Sequence, residues 1–341
     1  MQKQRENWVD LVKGYACILV VLGHFVQSML LSNIIPRTFL PLWFNQTIYY
    51  FHVPLFFICS GYLYQKYSRV ETFLQWKTHF LKKLLSLGIP FVFFAGLTWG
   101  IKVLLPGQMN IEVGGFVESL FIHPISPYWY LYALFFIFIV TPTFRSKKMA
   151  MVFLLISLVM KAISFLPLDY NCYPLSTVLQ NQIWFAIGMN VKVFRISEEL
   201  KKSKRLALGS FAGIIFIGFS VLFYIYDVDS LVIKSLMGVA GCCASLCLFV
   251  WLEKCFWIQR VGLWFSRYTL PIYLMHTIFA AGIRSVLFKL GATNSMLHIF
   301  IGLVVSFVGP IVAAFIMSKI KYLDFVLYPT KYIKIGGRKN G

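Results

Sequence analysis

The chain has 341 residues, of which 59% are hydrophobic, 18% aromatic and only 13% charged, against about 25% charged in an ordinary soluble domain. So little polar surface excludes a water-soluble monomer, and repeated apolar runs of about 18 or more residues describe an all-α integral membrane protein instead. The 32 Lys and Arg against 12 Asp and Glu would suggest nucleic acid in a soluble chain; here they read as topology signals, with the lipid bilayer and no nucleic acid as partner.

One helix and its loop take roughly 30 to 35 residues, so about ten spans fit. They are predicted at 12–31, 47–65, 84–105, 128–144, 149–167, 178–194, 207–226, 231–252, 268–288 and 297–318. This makes 1–341 a single polytopic membrane domain with a basic tail over 319–341 and no separate soluble catalytic domain. The first apolar run follows Arg5 and Lys13 directly and lacks a small-residue cleavage site, so it is expected to stay as the first membrane helix.

Basic residues gather at alternate connections: before the first span, between the second and third, around Arg145, from Lys192 to Arg205, from Lys254 to Arg267, and after Lys319. These groups hold 26 of the 32 Lys and Arg, which predicts that both termini are cytosolic. The opposite connections carry Glu112, Glu118, Asp169, Asp227 and Asp229. The 106–127 connection, with Pro106, Gly107, Gly114, Gly115, Pro124 and Pro127, is either a cover for an outer opening or a plain linker.

No acidic residue falls inside a predicted span, which argues against a carboxylate proton relay or a paired-carboxylate hydrolase. The ionisable residues within spans are chiefly His24, His52, His276, Lys161 and Arg284. In the first span Lys13 and His24 are eleven residues apart, which at about 100° per residue returns them to one helix face. The separation is roughly 16 Å, placing Lys13 at the cytosolic edge and His24 near mid-bilayer.

A long ligand with an anionic head would touch both. Acyl-coenzyme A has that shape, with phosphates for Lys13 and Arg5 and a thioester for His24. A near-neutral imidazole can take the proton of a hydroxyl as it attacks the thioester carbonyl. The other reading makes Lys13 a snorkelling anchor and His24 a packing residue. Asp10, one turn before Lys13, would orient it.

In the second span His52 either faces an acceptor or packs. Lys82 and Lys83 precede the third span, as donor contacts or as topology signals alone. Tyr128 and Trp129 fall at the outer interface, where aromatic belts occur anyway, or stack on a sugar. Lys161 has no evident role; Arg284 and Lys289 read as anchors of the outer end of the ninth span. In that span nine residues separate Arg267 from His276, which puts His276 at a depth comparable to His24, with Tyr273 on the same face at i, i+3. Two such histidines would divide base and oxyanion-stabilising roles, or form a structural hydrogen bond. Cys242, Cys243 and Cys247 lack nearby His or carboxylate and read as small packing residues, with no metal site expected.

Four stretches together resemble a family: Arg5 with Asp10-x-x-Lys13-Gly14 and Gly23-His24; Pro54 through Leu63; Tyr128-Trp129-Tyr130-Leu131; and Tyr268 with Ile272-Tyr273-Leu274-Met275-His276. In this order they are similar to the acyltransferase-3 family of integral-membrane O-acyltransferases, in particular the fucose 4-O-acetylase-like and capsule or exopolysaccharide acetyltransferase branch. The resemblance implies a ten-helix fold in the plasma membrane, commonly a bacterial inner membrane. It implies no permanently bound cofactor, with acyl-CoA, foremost acetyl-CoA, as co-substrate and a surface polysaccharide or its lipid-linked precursor as acceptor.

The family's basic residue, ten intervening residues and then a catalytic His fall on Lys13 and His24. Where relatives carry an arginine-rich run before the third span's proline, this chain has Lys82-Lys83-Leu84-Leu85-Ser86, which keeps charge but loses the bidentate fork. The expected catalytic residues are therefore His24 and His276, supported by Asp10 and Tyr273. Arg5, Lys13, Lys82 and Lys83 are the donor contacts, and His52, Tyr128 and Trp129 the acceptor contacts. The competing expectation is a carrier or flippase for a lipid-linked oligosaccharide, with the histidines lining its path.

Overall fold

The computed structural model describes residues 6–105, 113–167, 172–200 and 204–335, and among them every regular element is helical. The α-helices are α1 Asn7–Leu31, α2 Phe39–Tyr49, α3 His52–Tyr67, α4 Phe73–Lys83, α5 Ile89–Leu104, α6 Trp129–Val140 and α7 Lys147–Ile163. They continue as α8 Tyr173–Val193, α9 Ile196–Leu200, α10 Lys204–Ile225, α11 Leu231–Leu252, α12 Phe256–Ser266, α13 Thr269–Lys289 and α14 Ser295–Lys319. A π turn, Leu84–Gly88, joins α4 to α5.

Among the described residues five helical stretches are long and apolar enough to cross a bilayer: α1, the joined α4 and α5, α11, α13 and α14. Large apolar side chains such as Leu155 and Val159 of α7, Phe211 and Ile214 of α10, and Phe300 and Phe315 of α14 stay exposed. An outer surface that apolar suits lipid and not water.

Each predicted span overlaps a helix, though 128–144 and 149–167 run past the ends of α6 and α7, and one span is interrupted. The 47–65 span breaks at Tyr50 and Phe51, between α2 and α3. Pro54 supplies the reason: in a continuous helix it would deny a hydrogen bond to the Tyr50 carbonyl and clash with it, whereas a restart at His52 puts it in a first turn, where no N–H is needed. The first bond of the new helix runs from Leu55 N to Phe51 O at 3.0 Å. α11 closes over the break with small residues, since a Cβ on Gly238 would lie 2.7 Å from Tyr50 O and one on Gly241 would lie 2.8 Å from the Phe51 ring. Cys242 Sγ donates to Phe51 O at 3.7 Å.

Further helices occupy stretches read as connections, α4, α9 and α12 among them. α4 starts on a capping box between Thr72 and Gln75, the Thr-x-x-Gln pattern that satisfies two free N–H groups at once. α12 buries none of its residues fully and packs beside the first half of α1, where Gly14 faces Phe265 and Gly262 faces Leu11.

The centre of the bundle is the α3–α8 pair. A Cβ on Gly61 would sit 2.1 Å from Phe185 O, and one on Gly188 would sit 1.9 Å from Ile58 O. The two backbones therefore touch directly, the close approach that small residues permit between membrane helices. Buried polar groups tie α6 into this centre: Tyr64 Oη donates to Thr141 O at 2.6 Å, and Gln182 Nε2 donates to Thr141 Oγ1 at 2.9 Å. Ion pairs between Glu6 and Lys66 and between Glu71 and Arg145 hold the end of the bundle where α1 begins.

Candidate active site

α1 and α13 run side by side in the same direction. Their contacts advance together: Cys17 Sγ donates to Thr269 O at 3.6 Å, Val21 packs with Ile272, His24 meets His276, and Arg284 donates to Ser28 Oγ. Residues 17, 21, 24 and 28 follow the i, i+4, i+7, i+11 spacing of one helix face. This register brings the two imidazole rings to 5.4 Å between centres.

The break between α2 and α3 brings a third ring and a hydroxyl to the pair. Tyr49 Oη donates to Gln27 Oε1 at 3.1 Å and lies 3.4 Å from His24 Nδ1. With its proton given to Gln27, the hydroxyl is left to accept from Nδ1–H, which leaves His24 Nε2 with its lone pair. His52 stacks edge-on with Tyr49 at 4.8 Å, and its Nδ1 donates to Ile48 O at 2.6 Å.

His276 is held in a matching tautomer. Its Nδ1–H is shared between the carbonyls of Ile272 and Tyr273, each at 3.0 Å, and its buried Nε2 makes no hydrogen bond within the described protein. A neutral imidazole so arranged offers an acceptor, not a donor.

Two cavities meet at His24. The smaller, about 410 Å³, lies between α1, α5 and α13 and is lined by His24, His276, Lys102, Arg284 and Lys289 among mainly apolar side chains. The larger, about 610 Å³, is lined by aromatic and amide groups, including Asn45, Tyr49, Trp129, Asn181 and Trp184. His24, Gln27 and Ser126 belong to both walls. Both cavities sit toward the C-terminal end of α1. The floor of the larger one is a cluster of Phe56, Tyr130 and Tyr273 rings, 5.6 to 6.4 Å apart.

Of the residues singled out in the sequence, His24 and His276 are adjacent, and His52, Trp129 and Tyr273 line the larger cavity. Tyr273 Oη donates to Pro127 O. Tyr128 lines neither cavity; it is fully buried, and its hydroxyl donates to Leu274 O at 2.9 Å and pairs with Thr98 at 2.8 Å, fastening the start of α6 to α13 and α5. Lys13, half-buried near Cys59 of α3, also lines neither, nor do the exposed Lys82 and the Lys83 ammonium, which stands 3.6 Å above the Phe138 ring. Asp10 is half-buried on the first turn of α1. Arg5 lies outside the described residues.

Tyr49, Gln27 and Ser126 stand outside the residues the sequence marks as candidates, and Arg284 is marked there only as an anchor at the helix end. Gln27 had a signal in its i+3 spacing from His24. Arg284 had one too, since an ionisable residue within an apolar span is by default a candidate functional group. Lys161, with no role in the sequence, lines the larger cavity and donates to Gln180 O at 3.1 Å.

Comparison with known proteins adds a family to this geometry. The chain is 27% identical over 173 residues to the nodulation protein NolL of Mesorhizobium japonicum, covering 50% of this chain and 44% of that protein. It is 29% identical over 180 residues to NolL of Sinorhizobium fredii, covering 50% and 46%. The match thus spans less than half the length of these two relatives. The inner membrane protein YcfT of Escherichia coli K12 is 23% identical over 302 residues, 81% of this chain and 80% of YcfT. No solved structure matches. The model of the acyltransferase domain matches residues 6–315, nearly the whole described bundle with both histidines, and the chain belongs to this acyltransferase-3 family of membrane acyltransferases.

Proposed function

We propose that the protein is an O-acetyltransferase that moves an acetyl group from acetyl-CoA to a hydroxyl of a surface glycan or its lipid-linked precursor. The observation that carries this reading is the position of His24, on the wall common to both cavities, with Nδ1 directed to Tyr49 and His276 beside it. A base at the junction of two chambers can reach a reacting group placed in either.

In this mechanism His24 Nε2 takes the proton of the sugar hydroxyl as its oxygen attacks the thioester carbonyl. The C–O bond forms, the C–S bond breaks as the tetrahedral intermediate collapses, and the proton passes from the imidazolium to the departing coenzyme A sulfur. Gln27 and Ser126, the other residues common to both walls, supply N–H and O–H donors to the developing oxyanion. His276 presents an acceptor, so its part is to steady the imidazolium at His24, in place of the oxyanion role its depth alone suggested.

The larger cavity suits a sugar. Trp129 and Trp184 offer flat apolar faces, and Asn45 Oδ1, buried and without a hydrogen-bond partner in the described protein, would accept from a hydroxyl. Lys13, in the first half of α1, is assigned to the coenzyme A phosphates together with Lys82, Lys83 and Arg5, and Asp10 orients Lys13. A pantetheine arm would have to bridge roughly 16 Å from Lys13 to His24. Ten spans and cytosolic termini complete the proposal.

The test is acetyl transfer from labelled acetyl-CoA by the purified protein, followed by mass spectrometry of the surface glycan in cells with and without it. Transfer that disappears in His24→Ala at unchanged membrane abundance supports the reading. Unaltered acetyl content per chain, with failed glycan export on deletion, replaces it with the carrier.

A further inference from the structure

The smaller cavity has a chemistry that acyl transfer at His24 does not use. Arg284 is 4% exposed, in the second half of an apolar helix, where a charged side chain is costly and marks a functional group by default. An arginine serving only as an interfacial anchor would snorkel outward along the helix. This one turns inward, donates to Ser28 of α1 one turn beyond His24, and lines the cavity. Lys102 of α5 and Lys289 of α13 line the same space. Three cations from two helices thus converge beside the catalytic pair, and the described lining residues include no Asp or Glu.

The remaining wall is largely apolar, with Leu31, Ile101, Leu105 and Val286 among its residues. A cationic centre in an apolar chamber selects an anion carried on a hydrocarbon chain, and a guanidinium with neighbouring ammoniums is the set that recognises phosphate. We propose that the smaller cavity binds the phosphate of a lipid-linked acceptor, with Arg284 as the central contact and Lys102 and Lys289 flanking it. Taking this ligand as the acceptor rests on the acyl-transfer reading above; the site itself does not.

The junction at His24 gives the assignment its geometry. A sugar joined to a phosphate held at Arg284 would extend past His24 into the chamber of Trp129, Trp184 and Asn45, so its hydroxyl would reach the base while its lipid stayed against the apolar wall. Coenzyme A is the other source of phosphate. Its proposed contact on α1, Lys13, lies in the first half of that helix, whereas this cavity lies toward the opposite end.

The experiment measures binding to the purified full-length protein in detergent, with farnesyl phosphate, farnesol and coenzyme A as probes. Farnesyl phosphate is expected to bind at least about tenfold more tightly than farnesol, the value of a charge-assisted contact to phosphate. Arg284→Gln should abolish that preference and Lys289→Gln, at an exposed position, should reduce it, both with coenzyme A affinity unchanged. Equal binding of phosphate and alcohol by the wild-type protein overturns the proposal, whatever the fate of the variants. Loss of coenzyme A affinity in Arg284→Gln also overturns it, by giving the phosphate to the donor. A protein that shows the farnesyl phosphate preference yet transfers no acetyl group from acetyl-CoA keeps the site and loses the enzymatic reading.

Discussion

The imidazole rings of His24 on α1 and His276 on α13 stand 5.4 Å apart because two parallel helices carry them at matching heights. With Nδ1 of His276 bonded to two carbonyls, its second nitrogen is an acceptor, which in the proposed reaction steadies the positive charge that develops at His24. His24→Ala is therefore expected to lower kcat for acetyl transfer by about 10²- to 10⁴-fold, the range for loss of a general base. His276→Ala should lower it less, and the double variant should be no worse than His24→Ala, because the second ring acts through the first. Fully additive losses in single-turnover assays would show that the rings act independently.

Tyr49→Phe keeps the ring against His52 and removes only the hydroxyl between His24 and Gln27. The expected loss is one net hydrogen bond, a fall in kcat of about 2- to 12-fold, with KM for acetyl-CoA unchanged. An effect confined to the acceptor KM would make Tyr49 a sugar contact instead of a positioning residue.

Much of the bundle could be read along the chain because membrane helices are written as uninterrupted apolar runs. The 231–252 span coincides with α11, and the Lys13–His24 spacing is a property of a single helix. What pairs across helices was not legible in the same way. Pro54 fits a kinked long helix as well as the first turn of a new one, and it is with the second that Tyr49 stands beside His24. Arg284 looks like an end anchor until Ser28 of a helix more than 250 residues earlier is placed beside it. Periodicity says which face a side chain occupies; it does not say what that face meets.

Gly188→Ala should prevent the close approach of α3 and α8. The added carbon would lie 1.9 Å from Ile58 O and 2.7 Å from Ile58 C, both backbone atoms that cannot rotate away. Overpacking of this kind costs about 1 to 3 kcal/mol or more, read as a lower melting midpoint in detergent. Gly218→Ala in α10, where nothing lies within 4 Å, should leave the midpoint unchanged or raise it. Equal effects at both positions would count against direct backbone packing at the centre.

After α14 the chain forms a polar knot whose strength should depend on pH. Lys331 Nζ donates to Asp324 Oδ2 at 2.7 Å and Tyr332 Oη donates to Asp324 Oδ1, and these contacts hold the carboxyl below its ordinary range. A depressed carboxyl contributes stability that is fully present above its unfolded value, about 3.9, and is lost as pH falls through the lower folded value. The amides of Leu327 and Tyr328, which donate to Asp324 O at 3.1 and 2.8 Å, report the state of the turn. Acid should therefore reduce their hydrogen-exchange protection relative to neutral pH, after correction for intrinsic exchange rates. Asp324→Asn should show reduced protection already at neutral pH and little further change in acid; protection in the wild-type protein that is indifferent to pH would remove the carboxylate from any role in holding this segment.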